Sequence, residues 1–271
     1  MSELFNPVDR RRRRLLAGAL CWPLAGTAFA VDAAAGPPLS ARHAYVGNLD
    51  RTLLAREADT PVQIASITKL ITASVILAAE LPLDEPVRIA DDDVRATENT
   101  RSALAVGSRW RREQLLEWML VTSDNRAAAA LARSYPGGWD EFRRDMRALM
   151  TQMQLFSFDF GDSSGLSAVN RASARDLGVL LVMLSQQPFF RRLARQGAVG
   201  GKANVNRFAH DRSVALLSCK TGFTSAAGYC LAQAEQFGDE VVALVVLHSA
   251  NREARAQDMN RLRQFAQRSL G

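Results

Sequence analysis

The spacing of apolar positions changes character along the chain. "HAYVGNLD" and "TLLAREAD" read as two short strands joined by a turn near Asp50 and Arg51. "SITKLITASVILAAELP" is apolar on nearly every face, which predicts a fully buried helix stopped by Pro82. From about Leu83 to about Arg195 the pattern is helical, clearest in "RREQLLEWMLV", "NRAAAALARSY", "DEFRRDMRALMTQM" and "SARDLGVLLVMLSQQ". Gly137-Gly138 and "FGDSSGLS" interrupt it as loops. Strand signals return in "SVALLSCKTGF", "GYCLAQAEQF" and "EVVALVVLHSA", separated by glycine-bearing turns. The tail puts Met259, Leu262, Phe265 and Ala266 on one helix face. That face is narrow and lacks large aromatic anchors, so it predicts packing on a sheet rather than on a membrane surface. The order of elements predicts an α+β fold. One antiparallel sheet is built from both ends of the sequence (residues 41–65 and 213–271) and flanked by helices, with an all-helical region inserted at about 66–200.

Composition narrows the class. With 271 residues and 48% hydrophobic content the protein can bury a sizeable core and is not a disordered one. The net charge is +6, and half of it sits in the first thirty residues, where Arg10–Arg14 outweigh Glu3 and Asp9. The remainder is mildly basic, without the concentrated patch of a nucleic-acid binder. The arginine run, the apolar "LLAGALCWPLAGTAFA" and the small residues of Ala28-Phe29-Ala30 form an export signal over residues 1–30. Its 16 apolar-region residues, broken by Pro23, fall short of the roughly 20 that span a bilayer. Either the general or the twin-arginine route fits "RRRLL". "VDAAAGPPLS", residues 31–40, is a linker, and 41–271 is one catalytic domain. The expected location is periplasmic, without a stable membrane anchor after cleavage. Cys219 and Cys230 then remain on neighbouring strands, either as a disulfide or as two buried thiols. His43, His210 and His248 lie apart, and no cysteine–histidine cluster has metal spacing.

Of 34 basic residues only Lys69, Lys202 and Lys220 are lysine. Arginine serves wherever charge alone suffices, but it cannot shed its proton near neutral pH, and a buried lysine can. Lys69 lies in Ser66-Ile67-Thr68-Lys69 at the start of the buried helix, three residues from a serine on the same face. A serine there also sits near free helix-start amides. The ordinary reading is a serine cap with a surface lysine, but a lysine on an all-apolar helix is costly unless it is used. Ser123-Asp124-Asn125 between two helices reads by itself as an N-cap. Lys220-Thr221-Gly222 ends an apolar strand, offering an ammonium and a hydroxyl to a carboxylate beside a glycine that admits another backbone. Lys202, in "GAVGGKAN", looks like an ordinary loop residue.

S-x-x-K, S-D-N and K-T-G in this order are the known signature of penicillin-binding proteins and class A β-lactamases. "IASITKLITA", "TRSALAVGSRWRREQLLEWMLVTSDNRAAAALARSYPGG", "GLSAVNRASARDL" and "CKTGFTSAAGYC" resemble the low-molecular-mass penicillin-binding proteins, the D-alanyl-D-alanine carboxypeptidase/endopeptidase family. The long middle stretch is most similar to the endopeptidase branch. The resemblance implies a β-lactamase/transpeptidase-like fold with no metal or organic cofactor. It implies peptidoglycan peptides as substrates and β-lactam antibiotics as covalent inhibitors. It makes Ser66 the acylated nucleophile, Lys69 its base and Ser123 a proton relay. Asn125 would hold the substrate amide; Lys220 and Thr221 the terminal carboxylate, beside Gly222; and the N–H groups of Ser66 and Phe223 the oxyanion. The family's larger carboxypeptidases carry an extra C-terminal β-domain and anchor with no counterpart here, which favours a soluble hydrolase with endopeptidase character. A class A β-lactamase would need E-x-x-L-N between the second and third motifs, and Glu141 in "EFRRD", the sole glutamate there, does not fit. A murein- or penicillin-binding sensor with a dead site would not need intact Ser66, Lys69, Ser123 and Lys220.

Overall fold

A computed structural model describes residues 36–98 and 100–271. The expected export signal, residues 1–30, and the first half of the expected linker lie outside them. Strands β1 (His43–Gly47), β2 (Thr52–Arg56), β9 (Leu216–Thr224), β10 (Gly228–Phe237) and β11 (Glu240–Ser249) form one antiparallel sheet in the order β2-β1-β11-β10-β9. The two ends of the sequence therefore meet at β1–β11, and β9 is left as an edge strand. Alternation along the strands divides the core in two. Tyr45, Ala232, Ala243, Val245 and Leu247 face the helices inserted between β2 and β9. Leu216, Leu231, Val242, Leu244 and Val246 face Met259, Leu262 and Ala266 of the last helix, α8 (Arg252–Leu270). Phe265, the fourth residue of the stripe read from the sequence, is packed against the same cluster but only partly buried.

The inserted region holds α1 (Thr68–Ala78), α2 (Asp91–Arg95), α3 (Arg112–Val121), α4 (Asn125–Arg133), α5 (Gly138–Gln152), α6 (Ala174–Ser185) and α7 (Pro188–Ala194). It also contains three ribbons that the sequence pattern did not reveal: β3 (Val62–Gln63) with β6 (Arg171–Ala172), β4 (Pro86–Arg88) with β5 (Arg109–Arg111), and β7 (Ala198–Val199) with β8 (Lys202–Ala203). Strands of two or three residues are too short to display a period of two. Helix α1 is buried at every position but Leu77. It ends before Pro82: Ala79 N–H closes on Val75 O at 3.0 Å, and Glu80 turns to φ +52°.

Two other expectations meet the register. Cys219 sits opposite Gln233 and Cys230 opposite Gly222, so the two thiols are offset along the strands and both are free. The end of the linker is strapped down rather than loose. Asp258, fully buried on α8, accepts from Ser40 N (2.9 Å), Ser40 Oγ (2.6 Å), Ala41 N (2.9 Å) and Ser249 Oγ (2.9 Å). Lys202 is an exposed hairpin residue. Among the described residues no helix is long and apolar enough to cross a membrane.

Candidate active site

Ser66 lies in a 3-10 turn, Ala65–Ile67, that leads directly into α1. The turn is fixed from three sides. Thr68 Oγ1 donates to Ala65 O (2.8 Å) and accepts from Asn170 Nδ2 (3.0 Å), while Ile64 N donates to Asn170 O (3.2 Å). Gly165, at φ +90°, lies so close to the Ala65 carbonyl and Ser66 N that no side chain could stand between them. Gly222 on β9 presses from the other side, where a Cβ would be 2.7 Å from Ile64 O and 3.3 Å from Ser66 N. These contacts put the start of α1, with its helix-start amides, against the open edge of the sheet.

Lys69 is 0% exposed, and its Nζ has three contacts: Ser66 Oγ at 2.9 Å, Asn125 Oδ1 at 2.7 Å and Ser164 O at 2.6 Å. Two of these partners, an amide oxygen and a backbone carbonyl, can only accept. A neutral amine has two N–H donors and one lone pair. Protonated, Lys69 donates to all three; deprotonated, it keeps donating to Asn125 and Ser164 and turns its lone pair to the Ser66 hydroxyl, the state a general base needs. The charge balance agrees. Burial pushes the Lys69 pKa far below its usual range, the positive charge of Lys220 adds to this, and Asp162 and Asp124 oppose it.

Asp124 is the N-cap of α4, its Oδ1 accepting from Ala127 N at 3.0 Å and its Oδ2 from Ser102 Oγ at 2.7 Å. The ordinary reading of Ser123-Asp124-Asn125 thus holds for its middle residue. The two flanking side chains are freed for the cleft. Ser123 takes φ +63°, a strained choice for serine, and its Oγ accepts from Lys220 Nζ at 3.0 Å. Asn125 donates its Nδ2 to Thr100 Oγ1 at 3.2 Å while its Oδ1 meets Lys69. Lys220 is 1% exposed, also donates to Thr221 O (2.9 Å), and has its pKa lowered to about 7 by burial. Thr221 and Gly222 are buried beside it, and Phe223 is exposed. The structure thus brings Ser66, Lys69, Ser123, Asn125 and Lys220 into one hydrogen-bonded cluster, with Thr221, Gly222 and the Phe223 amide along its β9 wall.

The sequence reading missed five supporting groups. The "FGDSSGLS" loop supplies the Ser164 carbonyl to Lys69 and the Ser163 carbonyl to Thr72 Oγ1 (2.7 Å). Asp162 shapes this loop by accepting from the N–H groups of Ser164 (2.5 Å), Gly165 (2.6 Å) and Ser167. Asn170 ties it to Thr68 and accepts from Gly161 N at 2.8 Å. Arg255, in the first turn of α8, lies near enough for its charge to depress Lys220 further. Its Nη1 donates to Cys230 O at 3.4 Å, and its buried Nε has no partner among the described residues. A dense D-S-S-G-x-S-x-x-N run could have signalled a side-chain-built turn. A backbone carbonyl as ligand carries no residue signature.

The profile of the D-alanyl-D-alanine carboxypeptidase family, peptidase family S11, matches residues 31–251. The D-alanyl-D-alanine endopeptidase of Pseudomonas aeruginosa is 35% identical over 228 residues, 80% of this chain and 74% of that protein. The Escherichia coli protein of the same description is 33% identical over 264 residues, 92% of this chain and 85% of its own. The crystal structure of the Streptomyces K15 DD-transpeptidase superposes with a TM-score of 0.79 at 27% identity, covering 85% of this chain and 98% of that one. Similarity of this extent, in a protein that sets a serine hydroxyl on a desolvated lysine, places it in the D-alanyl-D-alanine carboxypeptidase family of serine peptidases.

Proposed function

We propose that this serine DD-peptidase cleaves D-alanyl–D-amino-acid bonds of peptidoglycan through an acyl-enzyme on Ser66, in the periplasm, with cross-links as its preferred substrates. The observation that carries the mechanism is the 2.9 Å contact of the fully buried Lys69 Nζ with Ser66 Oγ, its other two partners being acceptors that a neutral amine still serves. Lys69 takes the Ser66 proton as Oγ attacks the D-alanyl carbonyl. The developing oxyanion is received by the N–H groups of Ser66 and Phe223, brought together by the Gly222 contact. Ser123 passes a proton to the leaving nitrogen as the C–N bond breaks, and water then hydrolyses the ester.

Lys220, with Thr221 and the charge of Arg255, would receive the carboxylate of the leaving residue. This couples binding to activation. A bound carboxylate raises the Lys220 pKa above its value of about 7 and fixes the ammonium. That charge in turn holds Lys69 neutral. The substrate backbone would add to the open edge of β9. Penicillin acylates the same serine, and Asp162, spent on three amides, offers no carboxylate to speed its release as a β-lactamase would require. Glu141 pairs with Arg144 on α5. The similarity to two proteins described as endopeptidases supports the cross-link preference, and the basic, apolar N-terminus supports export.

The test is digestion of purified muropeptides by wild type and Ser66→Ala, read by mass spectrometry, with benzylpenicillin labelling alongside. The expected result is cleavage at D-alanyl bonds and a covalent adduct for wild type, and neither for the variant. Cleavage by Ser66→Ala, or an adduct on another residue, would overturn the assignment.

A further inference from the structure

Beyond the clustered polar groups, β9 carries an aromatic feature that the proposed reaction does not use. Phe223 is 51% exposed, unusual for a phenylalanine inside a strand. It stands opposite Tyr229 of β10, and the two rings lie 4.3 Å apart, tilted by 34°. The Arg255 guanidinium also lies over Tyr229, 6.0 Å from the ring centroid. The result is a cluster of two rings and a cation in which Phe223 is open to solvent.

Its position is set by the strand. Residues two apart share a face, so Phe223 lies on the same face of β9 as Thr221, about 7 Å further along. Lys220 points from the opposite face to Ser123. A leaving residue whose carboxylate is held by Lys220 and Thr221 therefore has its own side chain within reach of the Phe223 ring. A D-alanine presents one methyl group to that ring. The D-centre of a diamino acid, as found in a direct peptide cross-link, presents a run of methylenes that can lie across it. A solvent-exposed ring gains nothing from the first and removes apolar area from water with the second.

The geometry points to the Phe223–Tyr229 pair as the wall of a leaving-group subsite that selects a diamino acid, D at the reacting centre and extended in its methylenes, and hence a cross-link, over a terminal D-alanine. This rests on the peptidase reading above and adds to it which residues set the substrate class. Arg255 braces Tyr229 through the cation–ring contact.

The test compares two substrates for wild type, Phe223→Ala and Tyr229→Leu. One is a muropeptide dimer cross-linked through diaminopimelate; the other is a pentapeptide that releases D-alanine. The readout is the ratio of the two kcat/KM values, with benzylpenicillin acylation of Ser66 measured as a check on the active site. The ratio should fall roughly tenfold in Phe223→Ala and by a smaller factor in Tyr229→Leu, the scale at which apolar pockets discriminate methylenes. An unchanged ratio in both variants overturns the inference, and so does an equal loss on both substrates, which would mean a displaced oxyanion hole. If Phe223→Ala does not fold, Tyr229→Leu alone decides by the same criterion. Wild type that is acylated by penicillin but cuts neither substrate would overturn the peptidase reading itself, and this inference with it.

Discussion

Lys220→Met should make the protein inactive and more stable, and its pH dependence measures the burial of the ammonium. Lys220 is 1% exposed, and its pKa is lowered from 10.5 to about 7 chiefly by burial. In the unfolded state the same amine titrates near its ordinary value. Between pH 7 and 10.5 the unfolded state therefore binds about one more proton at this site than the native state does, so the Lys220 contribution to stability rises with pH, by about 1.4 kcal/mol per unit. Below pH 7 the full penalty applies, about 5 kcal/mol. Methionine fills a similar volume without a charge, but Ser123 Oγ and Thr221 O lose their donor, at about 1 kcal/mol each. The variant should thus be more stable by about 2–3 kcal/mol at pH 6.5, and the gap should shrink by about 3 kcal/mol by pH 9. Cys219 beside it, whose thiol burial pushes above its usual 9.0, contributes little in that window. Urea unfolding of both proteins at the two pH values gives the numbers directly. A gap that stays constant or widens with pH, or a variant less stable at pH 6.5, would refute the reasoning.

Other outcomes follow from the same geometry. Because Lys220 must be protonated to hold a carboxylate, kcat/KM for a D-alanyl peptide should fall above about pH 7, and Lys220→Arg should move that basic limb beyond pH 9; a stopped-flow pH profile checks both. Lys69→Arg keeps a cation but no titratable base, so benzylpenicillin labelling, followed by intact mass, should slow by at least about a hundredfold. Gly165→Ala requires a side chain at φ +90° against the Ala65 carbonyl; it should cost about 2–3 kcal/mol in unfolding and slow acylation as well, since the turn that carries Ser66 must shift.

Periodicity and residue chemistry carried much of this protein. The apolar and β-branched runs of β9, β10 and β11 between glycine-bearing turns, the all-apolar α1 and the stripe on α8 were legible because each is a long run of one character. The three motifs were legible because their serine and lysine side chains carry nucleophile and proton-transfer chemistry in themselves. Three lysines among 34 basic residues already pointed to a proton-transfer role for Lys69, since arginine cannot perform it.

What the order of residues could not supply is everything that depends on distant segments meeting. Ser164 lies 95 residues from Lys69, and what it contributes is a backbone oxygen that any residue possesses. Gly165 and Gly222 matter only because their backbones converge on one turn. Arg255 resembles the other arginines of α8 until the fold sets it over the Tyr229 ring and within reach of Lys220. The cysteines stay apart because the β9–β10 register opposes Cys230 to Gly222. The linker is held because Asp258 is buried beneath Ser40. The sequence determined which groups could react. Only the tertiary structure decided which of them would be stripped of water, and loss of water is what turns a lysine from a charge into a base.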